Sequence, residues 1–135
     1  MSPTEPGPLT QEQAAAWLAA YERAWRAGDG EGAGALFTAD CVYRSHPFRE
    51  AEDAAGYARR VFAAESGVEA RFGRPLIEGR RVAVEYWATL REDGEEITLS
   101  GCDLLRFAPD GRCCELREYW AQRPGHVEPP AGWGR

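Results

Sequence analysis

Asp40-Cys41-Val42-Tyr43-Arg44-Ser45-His46-Pro47-Phe48 reads as one β-strand stopped by proline. A strand alternates sides, so Val42, Arg44 and His46 share one face, and Cys41, Tyr43 and Ser45 the other. Pro47 has no N–H to give a ladder and ends the run. Two ionisable groups, Arg44 and His46, thus point the same way at a strand end. The other histidine, His126, lies in a Pro/Gly-rich tail. A surface strand with a solvated arginine and a capping histidine would give the same pattern, so the neighbouring elements must decide.

Upstream, Thr10-Gln11-Glu12-Gln13 is a capping box. Ala14, Trp17, Leu18, Tyr21 and Trp25 then recur at helical spacing, which predicts a helix from Gln11 to Ala27 ended by Gly28. Tyr21 sits mid-stripe on the core side, either an ordinary core aromatic or a buried hydroxyl in need of a partner. A short second helix, Glu31 to Phe37, is weakened by Gly32 and Gly34. Downstream, Ala54, Tyr57, Ala58, Val61 and Phe62 mark a third helix over Ala51–Glu65. The period then changes to two. Strands are expected over Val68–Glu78 (broken by Gly73 and Pro75), Arg81–Arg91, Glu95–Ala108 and Arg112–Gln122. Helix, helix, strand, helix and then an antiparallel meander is an α+β layout with helices on one side of a curved sheet. The domain spans 10–123, between a flexible segment, 1–9, and a loosely held tail, 124–135. Trp133 is expected to pin that tail to a partner surface.

The chain has 135 residues, 44% hydrophobic, which suits one domain with one core. A net charge of −6 argues against nucleic acid or an acidic membrane as partner. No apolar run is long enough to span a bilayer, and the first residues lack the basic and apolar regions of a signal peptide. A cytoplasmic location is therefore expected. All sixteen basic residues are arginine, with no lysine or asparagine, the mark of a GC-rich bacterial genome. Lysine Schiff-base chemistry and a P-loop are thereby excluded. Cys41, Cys102, Cys113 and Cys114 lie in predicted strands without C-x-x-C spacing, and read as reduced thiols rather than metal ligands. No cofactor motif is present, and no metal site is expected.

Strand parity sets polar groups among apolar ones. Leu99, Gly101, Asp103 and Leu105 share a face, as do Leu116, Glu118 and Trp120. A carboxylate on an inner face must be paired or protonated. Taken singly, Asp103 or Glu118 reads as solvated. Asp103, Glu118, His46, Arg44 and Tyr21 converging together point to an internal polar pocket. The opposite sheet face, with Trp87 and Tyr119, is expected to meet a second subunit as a homodimer.

The helix ending Tyr21…Ala27-Gly28-Asp29, the lead Leu36-Phe37-Thr38-Ala39-Asp40, the run Cys102-Asp103-Leu104-Leu105-Arg106-Phe107, Asp110-Gly111-Arg112 and Glu118-Tyr119-Trp120 resemble the NTF2-like superfamily. This is the cone-shaped α+β fold of ketosteroid isomerases and SnoaL-like polyketide cyclases, with three N-terminal helices packed in a curved, mainly antiparallel sheet. The resemblance covers Gln11 to Arg123. It implies that Tyr21 and a protonated Asp103 are oxyanion donors, as in ketosteroid isomerase. It puts His46, before Pro47, where that enzyme has its aspartate base, and makes Trp120 an aromatic wall. His46 in place of an anionic base, with the charges of Arg44 and Glu118, departs from a steroid site.

The enzyme expectation is proton abstraction next to a carbonyl, giving isomerase, cyclase or dehydratase chemistry on a small, partly apolar molecule. His46 is the base, oriented by Glu118 or Asp103, and Arg44 holds a substrate carboxylate or neutralises Glu118. Trp25, Tyr57, Phe62, Tyr86 and Trp120 complete the expected binding wall. A second expectation is hydrolysis as in the related epoxide hydrolases, with Arg44 and a carboxylate positioning water. A third is a non-catalytic ligand-binding or dimerisation domain, in which Arg44–Glu118 is a buried ion pair. A cavity lined by His46, Tyr21 and Asp103 would favour the first or a ligand binder, and a filled core a scaffold.

Overall fold

Helix α1 (Gln11–Ala27) starts where the sequence places it. The Gln13 N–H donates to Thr10 Oγ1 at 3.0 Å and the Thr10 N–H to Gln13 Oε1 at 2.9 Å, closing the capping box. Gly28 ends it with a left-handed φ of 68°. The computed structural model describes residues 7–135. Of the segment expected to be flexible, residues 1–6 lie outside that range. The rest is held: the Leu9 N–H donates to the Gly79 carbonyl at 2.8 Å, the Arg80 guanidinium donates to the Gly7 carbonyl at 2.8 Å, and Leu9 is buried.

Helix α2 (Gly30–Gly34) is shorter than expected, and β1 (Phe37–Arg44) starts earlier. A two-residue strand, β2 (Glu52–Asp53), turns into α3 (Ala54–Ala64), capped by Asp53 accepting from the Gly56 N–H at 2.8 Å. The expected break at Gly73 and Pro75 separates β3 (Glu65–Phe72) from β4 (Leu76–Glu78). The long strands are β5 (Arg81–Glu92), β6 (Glu95–Phe107) and β7 (Cys113–Pro124). The sheet order is β2-β1-β7-β6-β5-β3, with β4 also on β5, and only β1–β7 is parallel. This is the NTF2-like α+β architecture, with the helices against one face of a mostly antiparallel sheet.

That inner face carries Val84, Tyr86, Ala88 and Leu90 of β5, Asp103 and Leu105 of β6, and Leu116 of β7. Strand β1 corrects the reading of Arg44 and His46 as inward-pointing. Phe37, Cys41, Tyr43 and Ser45 are buried, so alternation turns Val42, 51% exposed, and Arg44 away from the core. Tyr43 brings the larger apolar surface and wins the inner side. The strand ends at Arg44, before Pro47, and a turn follows in which the Arg49 N–H donates to the His46 carbonyl at 3.0 Å.

The tail, expected to be loose, is docked on its own sheet. The Trp87 Nε1–H donates to the Val127 carbonyl at 2.8 Å, and Trp133 meets Trp87 edge-on at 6.0 Å. Thr89 and Thr98 oppose each other on β5 and β6, bury under the tail and share a hydrogen bond of 3.2 Å. The Thr98 hydroxyl donates to the Gly125 carbonyl at 2.7 Å, so Thr89 is the donor within the pair. Among the described residues no helix is long and apolar enough to cross a membrane.

Candidate functional site

A cavity of about 550 Å³ opens between the helices and the inner sheet face. Tyr21 and Trp25 from α1, Tyr57 and Phe62 from α3, Tyr86 from β5 and Trp120 from β7 form its aromatic wall. The rings brace one another. Trp25 lies parallel to Phe62 at 6.3 Å, Tyr43 stacks on Tyr57 at 4.3 Å, and Tyr21 is wedged edge-on between Phe37, Phe62 and Phe72. Gly101 lies between Tyr86 and Trp120 in the ladder, and a Cβ there would approach Trp120 Cβ to 2.7 Å and Tyr86 Cε1 to 2.8 Å. Only glycine leaves room there for both neighbours.

Asp103 and Glu118 are register partners on β6 and β7, side by side in the cavity. Asp103 is 5% exposed, and its Oδ1 has no hydrogen-bond partner. Burial pushes its carboxyl well above the usual range. Burial likewise pushes Glu118 up to about 8. The Tyr21 phenol is held well above its ordinary value by burial and then by the Glu118, Tyr57 and Asp103 charges around it. Burial also raises Tyr86, and raises Tyr57 to about 12. A desolvated acid stays neutral and remains a hydrogen-bond donor.

A second acidic group sits at the cavity edge. Glu65 accepts from the Trp25 Nε1–H at 2.8 Å, and burial, opposed by that bond, holds its carboxyl at about 7. It faces Glu92 across β3 and β5. Elsewhere on the lining, Arg60 bonds Glu52 at 2.8 Å and lies over Tyr57 at 5.5 Å. Arg49 donates to Ser45 Oγ at 3.2 Å and lies over Trp120 at 5.2 Å.

Of the expected site residues, Tyr21, Asp103, Glu118, Trp120, Tyr86, Trp25, Tyr57 and Phe62 line this cavity. Arg44 and His46 do not. Arg44 donates to the Arg49 carbonyl at 2.6 Å and makes no pair with Glu118. His46 packs edge-on against Trp120 at 5.1 Å, and its Nδ1 accepts the Phe48 N–H at 3.3 Å. With Nδ1 an acceptor, the ring proton sits on Nε2. Sequence reasoning missed Tyr43, Arg49 and Glu65. Tyr43 was legible as the bulkiest apolar residue of its strand. Glu65, at the end of the expected third helix, caps α3 and opens β3 in the extended conformation, one turn beyond Val61 and Phe62. Arg49 follows a turn and left no periodic signal.

A family model described as a SnoaL-like domain matches residues 18–116. No curated protein matches the chain. Among solved structures, Rv0760c from Mycobacterium tuberculosis superposes with a TM-score of 0.73 at 18% identity, over 86% of this chain and 98% of that one. An LEH-like epoxide hydrolase from M. tuberculosis gives 0.69 at 20% identity, over 82% and 84%. The epoxide hydrolase/cyclase-like enzyme SalBIII, of pyran ring formation in the polyether salinomycin, gives 0.71 at 18%, over 82% and 92%. At such identities the likeness is one of fold.

Proposed function

We propose, since the chain belongs to the SnoaL-like domain family, that it is a cofactor-independent acid–base enzyme acting on a small, partly apolar molecule held in the cavity. The observation that carries this is the Asp103–Glu118 pair, a buried and a half-buried carboxyl in one ladder step within the aromatic cavity that Tyr21 also lines. Groups whose environments hold protons at neutral pH are suited to giving and taking them there. Ionised Glu118 takes a proton from the carbon next to a carbonyl, and the electron pair moves onto the carbonyl oxygen. The Asp103 and Tyr21 hydroxyls donate hydrogen bonds to that enolate oxygen. Glu118 then returns the proton to another carbon, giving an isomer, or to a leaving group.

The base moves from His46 to Glu118 in this reading, because His46 lies outside the cavity. The test is binding of substituted phenols, as enolate mimics, across pH and phenol acidity. Binding that strengthens with anionic character, and weakens about tenfold or more in Tyr21→Phe and Asp103→Asn, supports the oxyanion site. Phenols that ignore both substitutions overturn it and leave a ligand-binding domain.

The same pair favours a second reading, epoxide opening. Glu118 would draw a proton from water while Asp103 gives its own to the epoxide oxygen, without Arg44. Turnover of an epoxide panel, set against deuterium exchange into ketones, separates the two.

The outer sheet face supports pairing of two copies. Tyr119, 43% exposed, stands there beyond the docked tail. Sedimentation of Tyr119→Glu against the parent chain tests it, a monomer being expected for the variant.

A further inference from the structure

Four carboxyl groups of the cavity, those of Glu65, Glu92, Asp103 and Glu118, have no arginine or histidine partner among the described residues. The two arginines on the lining are already engaged at the rim: Arg60 with Glu52, and Arg49 with Ser45. Nine-tenths buried on that lining, Asp103 also presents an oxygen, Oδ1, that nothing in the protein satisfies. A buried acceptor without a partner is costly and calls for a donor from elsewhere. Glu65 accepts from Trp25 through Oε1 and is the register partner of Glu92, with no base on either among the described residues.

The surroundings are suited to one kind of donor. Trp25, Phe62 and Tyr21 form a triangle of rings 5.9–6.3 Å apart, and Tyr57 stacks on Tyr43. Ring faces attract cations, most strongly where water is excluded. The chain's own guanidinium groups already use Tyr57 and Trp120 in this way at the rim. At the edge an anionic head would meet Glu65 and Glu92, which no base neutralises among the described residues, and a wholly apolar ligand would leave Asp103 Oδ1 unsatisfied.

We propose that the cavity takes an organic cation, a protonated amine or quaternary ammonium. Its charged head lies beside Glu65 and Glu92 against the Trp25 ring, and its remaining body reaches toward Asp103 and Glu118. This rests on the acid–base reading above and names its substrate class. The head neutralises the paired acids at the edge, and the reacting carbon is left at the carboxyl pair on the floor. Binding is linked to protons. Glu65, held near 7, must ionise to hold the cation, so affinity rises with pH through that region. The other titratable groups facing Glu65 are Glu92, Tyr57, Tyr21 and Tyr86, and the three phenols, all raised by burial, stay neutral over this range.

The probes are choline, its neutral isostere 3,3-dimethylbutan-1-ol and the anionic 3,3-dimethylbutanoate, titrated against the full chain by NMR. Choline carries its charge at every pH, so only the protein's groups titrate. Choline should bind about tenfold more tightly than either isostere at pH 8.5, a preference that shrinks to about threefold or less at pH 5.5. Glu92→Gln, at an exposed position that folding does not need, and Glu65→Gln should each weaken choline about fivefold and leave the alcohol unchanged. An alcohol or butanoate that binds as tightly as choline overturns the proposal, as does an equal loss for all three probes in the variants. Phenols that respond to Tyr21→Phe without any choline preference remove the cation and leave the acid–base reading. Choline preference without a phenol response leaves an ammonium-binding cavity and removes the reaction.

Discussion

Asp103 and Glu118 stand directly opposite each other on adjacent strands, both inside the cavity and neither paired with a base among the described residues. Two carboxyls one ladder step apart do not ionise independently. Removing the second proton puts like charges side by side in a poorly solvated space. The pair is therefore a store of protons at neutral pH.

This store makes stability depend on pH. Glu118 titrates near its ordinary value when unfolded and near 8 when folded, so between those values the folded state binds the extra proton. Stability is fullest below the unfolded value and is lost as pH rises toward 8. Urea unfolding should give a lower midpoint at pH 8.5 than at pH 5.5. Glu118→Gln should flatten that slope and gain roughly 1–3 kcal/mol at the higher pH.

Catalysis should run the other way with pH. The base form of Glu118 appears only as pH approaches 8, so turnover of a responsive ketone should climb through that region. Glu118→Gln should lower kcat by about a hundredfold or more, with the rising limb gone from the pH profile.

His46→Ala and Arg44→Ala should each change kcat and phenol affinity by less than about threefold, since neither side chain reaches the cavity. A loss of about a hundredfold in His46→Ala would restore histidine as the base.

Gly101→Ala forces a methyl group into Trp120, Tyr86 and the Tyr119 carbonyl, all within 2.8 Å of the new atom. Overpacking of this kind costs about 1–3 kcal/mol. Because both rings line the cavity, ligand affinity should fall with stability, as thermal unfolding and phenol titration on the same sample would record.

Trp133→Ala removes the ring that Trp87 meets edge-on and that Arg71 covers at 5.3 Å. The tail should loosen over Thr98, with a loss of roughly 1–3 kcal/mol in urea unfolding and faster amide exchange at Val127, whose N–H donates to Thr98 Oγ1.

Much of this fold was legible because period and punctuation agree. The capping box and Gly28 bracket α1 at both ends, and Asp93-Gly94 turns β5 into β6. Parity set Asp103 and Glu118 on one face, and both line the cavity because β6 and β7 run in continuous register there. It failed on β1, where the reading followed the polar residues and the structure follows Tyr43. A bulge between Phe37 and Val42 further separates that strand's register from simple counting. The tail was misread from composition alone. Proline and glycine removed any periodic signal, while its hold comes from Trp133 and from backbone groups that any residue carries.

The parallel pairing of β1 with β7 orders events on the ribosome. Phe37, Cys41 and Tyr43 leave the exit tunnel well before the strand that covers their edge has been made. Until Cys113 to Pro124 emerges, the nascent chain carries a half-built aromatic cluster and a β1 whose only partner is the two-residue β2, a surface of the sort that chaperones bind. Such a distant contact also makes folding slow for the chain's size. Stalled nascent chains ending before Arg112 should be cut by protease throughout, with protection arriving in one step once β7 is free.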